Sequence, residues 1–128
     1  MQQLCLSSND ISDDEMKSLP DALSALPRLK SLSLFENDIG DNGLSALTRE
    51  GACGALDKLT ALHLDRNKIG DAGMVALAGA VSRGALTQLI TLNLDENAIG
   101  YVGMQAFSKA GSLAHLEELF LASNGIGD

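Results

Sequence analysis

One eleven-residue pattern recurs five times along the chain and constrains its fold more than any other feature. Each copy reads L-x-x-L-x-L-x-x-N-x-I, with Met1 in place of the first leucine in the first copy. The asparagines of the five copies are 28, 30, 30 and 27 residues apart, and they are Asn9, Asn37, Asn67, Asn97 and Asn124. A period of this length indicates an array of equivalent structural units. Because one unit cannot bury its apolar face alone, the sequence predicts a stack in which each unit covers the next.

The L-x-L part of each copy alternates as a short strand with one buried face does. In the third copy, the apolar Leu62 and Leu64 alternate with Ala61, His63 and Asp65. The same strand returns in the same direction in every unit, with a helix between one strand and the next. Such strands pair in parallel, so the sequence predicts a parallel sheet covered by helices on one side.

A helix is predicted to follow each asparagine. Asp41 and Asp71 stand where a helix would begin, in the place of a capping residue, and Gly84 stands where the helix after Asp71 would end. The first and fourth units depart from this scheme. Pro20 is expected to end the first helix near Leu19, and Tyr101 takes the capping place of the fourth unit, which predicts a less firm start for that helix.

The repeated asparagines and glycines are predicted to have structural roles. A carboxamide placed directly after a strand can bond the N–H and C=O groups of its own loop and of the neighbouring unit. The asparagines therefore form an internal ladder in this interpretation. The glycines that follow them are expected to accommodate the tight turn from strand to helix, and they are Gly40, Gly70, Gly100 and Gly127.

These units resemble the leucine-rich repeat, and the resemblance covers essentially the whole chain. The spacing of about 28–30 residues and the Ile-Gly-Asp-x-Gly segments at 39–43 and 69–73 resemble the ribonuclease-inhibitor-like subclass. The resemblance implies an α/β fold, a right-handed β/α solenoid with an inner parallel sheet and outer helices. We expect residues 1–128 to be a single leucine-rich repeat domain of about five units. Since no capping unit is visible at either end, a segment of a longer array is expected.

Composition and charge exclude several classes of partner. Seventeen acidic residues against nine basic ones give a net charge of −8, the wrong sign for binding nucleic acid or an anionic membrane surface. No uncharged apolar stretch approaches the roughly 18 residues that span a bilayer, and no signal peptide is recognisable at the N-terminus. Two cysteines, Cys5 and Cys53, are too few for a disulfide framework, which favours free thiols and a cytoplasmic location.

No pattern in the sequence predicts catalysis or a cofactor. His63 and His115 have no nucleophile or metal ligand placed beside them by the repeat, and phosphate-binding and Cys-x-x-Cys motifs are absent from the sequence. The segment Asp65 to Gly70 imitates the start of a calcium loop, but Ile69 and Ala76 occupy positions that need oxygen ligands. We therefore predict that the chain is not an enzyme and holds no metal or cofactor.

The third, fifth, seventh and eighth places of each pattern are not required by the core and face the inner side of the sheet, the concave face. Five acids against one arginine leave a surplus of four negative charges there, with two phenylalanines as candidate anchors. This distribution predicts a non-enzymatic protein–protein interaction module with a basic protein partner. The predicted partner-binding residues are Phe35, Glu36, His63, Asp65, Arg66, Asn93, Asp95, Glu96, Glu118 and Phe120.

Other interpretations of the same sequence stay open. The acidic face can simply keep the array soluble. The family resemblance also implies two alternatives that no residue motif supports, namely a GTPase-activator-like regulator and a sensor or autoinhibitory repeat region of a larger immune-receptor-like protein. The oligomeric state is not predicted.

Overall fold

The computed structural model describes residues 3–26, 28–49, 56–110 and 116–124 of the chain. Three predicted features, concerning Cys53, His115 and Gly127, lie outside these residues. Strands and helices alternate except in the first unit, which has two short helices. The elements are β1 (Gln3–Cys5), α1 (Asp13–Met16), α2 (Leu19–Ser24), β2 (Ser31–Ser33), α3 (Asp41–Thr48), β3 (Ala61–His63), α4 (Asp71–Ser82), β4 (Thr91–Asn93), α5 (Tyr101–Lys109) and β5 (Glu118–Phe120).

The strands form one parallel sheet in chain order, β1-β2-β3-β4-β5. Equivalent leucines pair across every junction, so that Leu32 lies opposite Leu62 and Leu62 opposite Leu92. These central leucines are buried, whereas the residues on either side of them in β2, β3 and β4 are half-buried. The predicted parallel sheet with one buried face is therefore confirmed, and the chain is an α/β solenoid.

The buried face of the sheet and the helices enclose a continuous aliphatic core. Helix α4 contacts α3 and α5, and α3 contacts α1, so each helix covers the next along the array. Leu62 and Leu64, predicted to be buried, have no exposed surface, and the same holds for the core residues Ile69, Leu77, Leu89, Leu92 and Leu94. Burial on this scale is the main source of stability in a chain with 3% aromatic residues.

The asparagine ladder is present as predicted. The Asn67 carboxamide Nδ2 donates hydrogen bonds to the carbonyl oxygens of Leu34 and Leu64, at 2.9 and 3.1 Å. Its Oδ1 accepts the N–H of Ile39 at 3.1 Å. Each asparagine after the first repeats this arrangement, so one side chain joins the loop of its own unit to the loop of the preceding unit. The ladder satisfies backbone groups that would otherwise be buried without partners.

The aspartates at the helix starts act differently from the prediction. Asp71 is the first residue of α4, and no side chain caps this helix from its own unit. Instead, the Asp71 carboxylate accepts the N–H groups of Gly100 and Gly103 in the next unit, at 2.7 and 2.9 Å. Asp41 bonds Gly70 and Gly73 in the same way. Each carboxylate thus caps the following helix, because neighbouring helix N-termini lie side by side and attract negative charge.

This arrangement corrects the prediction for Tyr101. The N-terminus of α5 is capped by Asp71 of the preceding unit, so the tyrosine does not weaken the start of its own helix. Tyr101 has no carboxylate that could accept N–H groups of the next unit, as Asp71 does. Its side chain is largely exposed to solvent.

The glycines after the asparagines also differ from the prediction. Gly40, Gly70 and Gly100 have φ angles of −111°, −116° and −114°, which residues with side chains adopt readily. Space restricts these positions only mildly, because a Cβ atom at Gly100 would lie 3.3 Å from Asp71 Oδ2, and one at Gly70 would lie 3.4 Å from the Asp41 carboxylate, an ordinary contact distance. The left-handed backbone falls instead on the eighth place of the pattern, where Arg66 has φ 57°.

The ends of the helices also show one correction. Helix α1 ends at Met16, and Pro20 lies in the first turn of α2, so the proline begins a second helix rather than ending the first. Gly84, with φ 92°, follows the end of α4 as predicted. Among the described residues, no helix has both the length and the apolar character needed to cross a bilayer.

Candidate functional site: the concave face of the sheet

The register of the sheet places the predicted site residues in rows across the strands. Ser33, His63, Asn93 and Phe120 form one row, because each lies opposite the next in the parallel pairing. Neighbouring parallel strands are about 4.8 Å apart, so side chains within a row are in reach of each other. The structure therefore brings the predicted residues onto one surface, the concave face.

Arg66 lies at the centre of a charged cluster on the rim of this face. Its guanidinium Nε donates to Glu96 Oε2 at 2.6 Å, and Nη1 donates to Glu36 Oε2 at 3.4 Å. The guanidinium also lies over the ring of Phe35, 5.5 Å from its centroid. The hydrogen bond and charge of Glu96 raise the pKa of Arg66 above its ordinary value. The one arginine of the concave face is thus engaged by two of its five acids.

Asp65 is a partly buried carboxylate of the face, and the nearby charges of His63 and Arg66 act on it without an ion pair. Partial burial, with a smaller contribution from the nearby Asp95 carboxylate, raises the pKa of Asp65 above its ordinary value of 3.8. Among the described residues, no lysine or arginine forms an ion pair with it. Asp95 is better satisfied, because its Oδ1 accepts the N–H of Ala122 at 2.6 Å. The two aspartates follow adjacent strands and form an acidic pair that no arginine or lysine on the described part of the face neutralises.

The two phenylalanines have different surroundings. Phe120 in β5 is 40% exposed, so its ring is available to a partner. Phe35 is half-buried and one side of its ring is occupied by Arg66. Beside Phe120, the Glu118 carboxylate accepts the hydroxyl of Thr91 at 3.0 Å. Of the two predicted anchors, only Phe120 presents a largely open aromatic surface.

Cys5, Ser7 and Ser33 also lie on the concave face, although they are not among the predicted partner-binding residues. The Cys5 Sγ lies 3.2 Å from Ser7 Oγ, which lies 3.0 Å from Ser33 Oγ, and together they form a hydrogen-bonded chain. Ser7 lowers the pKa of the Cys5 thiol through its side-chain and backbone hydrogen bonds. The three residues occupy the same rows as His63 and Asp65, so their position in the repeat was the signal that identifies them.

The concave face is suited to contact a partner surface. Its polar groups lie on an open sheet, and its hydrogen bonds run between neighbouring units. In the described ranges, no group of three or more histidine, cysteine, aspartate or glutamate residues is arranged to hold a metal ion. Cys5, the cysteine within these ranges, is a free thiol.

Comparison with known families identifies the class of protein. The model of the Leucine Rich repeat family matches residues 26–47, 57–78, 86–108 and 112–128, more than half of the chain, and the chain belongs to this family. The first unit, which lacks the Ile-Gly-Asp-x-Gly segment, is not matched. Leucine-rich repeat domains generally mediate protein–protein interactions, and they are typically non-enzymatic.

One solved structure similar to this chain is an internalin (inlF) from Listeria monocytogenes. The two share 25% sequence identity with a TM-score of 0.48, over all of this chain and 43% of the internalin. This chain thus spans less than half the length of that protein. None of the curated protein sequences compared with the chain matches it.

Proposed function

We propose that this chain is a protein-binding module that receives a basic partner on its concave face. The acidic pair Asp65 and Asp95 carries the proposal, because it lies on a surface that the core does not require and lacks a pairing cation among the described residues. A basic surface on the partner would supply the missing charge. The same field would steer that partner toward the sheet before contact.

The internal ladders support binding without reorganisation. Asparagine and aspartate side chains join neighbouring units, at Asn67 and Asp71 for example. Side chains of the concave face therefore project from a backbone that is already fixed. A fixed surface loses little conformational entropy on binding, which favours affinity. The exposed ring of Phe120 supplies the large apolar contact that protein interfaces concentrate at their centres.

We further propose that residues 1–128 form a single, non-catalytic, ribonuclease-inhibitor-like repeat domain of about five units. We also propose that this domain is located in the cytoplasm. The subclass is supported by a helix in each unit between successive strands and by the spacing of the asparagines. Cys5, an exposed free thiol, is compatible with a reducing compartment.

The GTPase-regulator and receptor-repeat alternatives rest on family resemblance alone. A GTPase regulator would change the rate of GTP hydrolysis when added to a panel of small GTPases. A receptor repeat region would be encoded in one reading frame with a nucleotide-binding domain. These two observations separate the alternatives from the binding module proposed here.

Charge reversal on two faces of the chain tests the proposal. The variant D65K/D95K removes the acidic pair, and the matched control D21K/D57K changes the same charge at exposed positions away from the sheet. Each protein, immobilised at equal density, is used to capture binding proteins, and association rates are then measured at several salt concentrations. We expect D65K/D95K to slow association about tenfold at low salt and to flatten its salt dependence, while the control leaves both unchanged.

Replacing the aromatic anchor should affect a different rate. We expect Phe120→Ala to raise the dissociation rate with little change in the salt slope, because a buried ring holds a complex once it has formed. Equal effects of D65K/D95K and D21K/D57K on association would contradict the proposal and would direct attention to the helical face.

A further inference from the structure

A recess opens on the concave face between β1 and β3. Its volume is about 380 Å³, near the lower end of the roughly 300–1,000 Å³ that ligand pockets occupy. This size suits a single long side chain rather than a folded element. The residues that give the recess its chemistry are Cys5, Ser7, Ser33, Phe35, His63 and Asp65.

The walls of the recess differ in character. Phe35 and Leu4 provide apolar surface, and the hydrogen-bonded chain of Cys5, Ser7 and Ser33 provides hydroxyl and thiol groups. Asp65 adds a carboxylate that forms no ion pair with a lysine or arginine among the described residues. A ligand side chain with an apolar stem could therefore pack on the apolar wall. A cationic group at its end would have both a counter-ion and hydrogen-bond acceptors.

The charges of His63 in the lining and of the neighbouring Arg66 favour the ionised form of Asp65, but neither cationic side chain forms an ion pair with it among the described residues. Arg66 is absent from its lining and is engaged by Glu36 and Glu96 on the rim. That cluster of one cation and two anions carries a net negative charge of its own. An anionic ligand would meet Asp65 and this rim, whereas a cationic one would be attracted by both.

We propose that the recess is the anchor pocket for one lysine or arginine side chain of the protein bound on the concave face. The aliphatic stem would pack on Phe35, and the cationic head would reach Asp65 with the oxygens of Ser7 and Ser33 as further acceptors. This inference rests on the proposed function, since it names the side chain that the basic partner inserts. It gives the face a specific point of recognition in addition to its overall charge.

Cys5 provides a probe inside the recess. With Cys53→Ser as the background, the Cys5 thiolate attacks a methanethiosulfonate reagent, forms a disulfide and releases methanesulfinate. Rates are measured with a cationic aminoethyl reagent and an anionic sulfonatoethyl reagent, and each is divided by the rate for an unstructured cysteine peptide. The ratio of the two normalised rates cancels the thiolate fraction of Cys5, so it reports the electrostatic potential in the recess.

The expected ratio favours the cationic reagent. Asp65 follows the second strand from β1, about 10 Å across the sheet, and a unit charge at that distance changes the ratio about threefold at ~10 mM salt. Asp65→Asn should therefore lower the ratio about threefold. Asp21→Asn, a control at an exposed position outside the recess, should leave it unchanged. Circular dichroism of each variant verifies the fold.

A soluble side-chain mimic tests occupancy directly. N-acetyl-arginine amide should slow modification of Cys5 by a neutral methyl reagent, while N-acetyl-norleucine amide at the same concentration and matched ionic strength should not. The arginine protection should be lost in Asp65→Asn. A cation-to-anion ratio near one in the parent protein, or equal protection by the two amides, would overturn the inference.

The outcomes separate this inference from the proposed function. Suppose that Cys5 reacts faster with the cationic reagent and is protected by the arginine amide, while D65K/D95K leaves the association rate of the partner unchanged. The recess is then a cation pocket, and the proposed binding face is wrong. If partner association depends on D65K/D95K but Cys5 shows neither effect, the face binds a basic partner and the anchor lies elsewhere.

Discussion

Two glycines in helix α4 provide a sensitive test of the inter-unit aspartate bonds. A Cβ atom at Gly73 would lie 2.8 Å from Asp41 Oδ1 and 3.0 Å from Ile69 Cγ2. At Gly79 the nearest atom would be a guanidinium nitrogen of Arg83, 3.5 Å away at the end of a flexible side chain. The substitutions Gly73→Ala and Gly79→Ala are therefore the same chemical change in the same helix, with and without a close carboxylate.

The structure predicts opposite effects on the free energy of unfolding. Gly79→Ala should stabilise the protein by about 0.5–1 kcal/mol, because alanine lowers the entropy of the unfolded chain and favours helix. At Gly73, the new methyl group displaces the Asp41 carboxylate, which accepts two N–H groups at 2.6 and 2.9 Å. A hydrogen bond to a charged group contributes about 1.5–3 kcal/mol, so losing even one exceeds the helix gain. We expect a net destabilisation of about 1–3 kcal/mol.

Urea unfolding followed by far-ultraviolet circular dichroism measures both variants, since the chain has one tyrosine and no tryptophan. A double-mutant cycle with Asp41→Ala isolates the cause. Without the carboxylate, the loss caused by Gly73→Ala should fall below about 1 kcal/mol, which leaves the contacts with Ile69 Cγ2 and with the Cα atom of residue 41. If Gly73→Ala were as stable as Gly79→Ala, the carboxylate would not be a constraint on this position.

Three further predictions concern the core, the ladder and the acidic face. Leu64→Ala should lower the free energy of unfolding by about 2–5 kcal/mol in the same urea assay, because the side chain has no exposed surface. Asn67→Ala should cost about 2–4 kcal/mol and Asn9→Ala less than about 1 kcal/mol, because Asn67 joins two units while the described bond of the Asn9 side chain is to Ser7 in its own loop. Asp65→Asn should raise stability slightly at pH 7, because the raised pKa means that folding disfavours the charged carboxylate, and the difference should shrink as the pH falls through the pKa of the folded protein and vanish well below pH 3.8, where the carboxyl is protonated in both states.

The sequence predicted those features that depend on a residue's place within one unit. The alternation of leucines around Leu62 defined the buried face, and the position of Asn67 directly after the strand predicted its bonds to two loops. Both follow from the period of the strand and from the chemistry of a carboxamide. The order of strands also followed, because equivalent strands in a stack pair with their sequence neighbours.

Other contacts between units, which depend on the direction that a side chain takes, were missed. The sequence shows that Asp71 begins a helix, but not that its carboxylate turns toward the next helix instead of capping its own. The ion pairs of Arg66 could have been predicted, because Glu36, Arg66 and Glu96 occupy one row of the repeat with alternating charge. The recess at Cys5 depends on how side chains of three strands converge, and no pattern within a single strand encodes that.

The two ladders support the proposal that the concave face is the surface that binds a partner. The side chains of Asn67 and Asp71 form hydrogen bonds with backbone groups of neighbouring units, and Leu64 is buried in the core. Substitutions at these positions therefore lower the free energy of unfolding. Positions such as Asp65 contribute nothing comparable, and its partial burial even disfavours its charged form. Under the proposed function, this charge serves an interaction outside the chain. The N-terminal half of the face offers a recess with one carboxylate, and the C-terminal half offers acids beside the exposed ring of Phe120. A partner with a basic anchor would find carboxylates in both halves, so the fit of its apolar contact to the exposed ring of Phe120 would set its orientation.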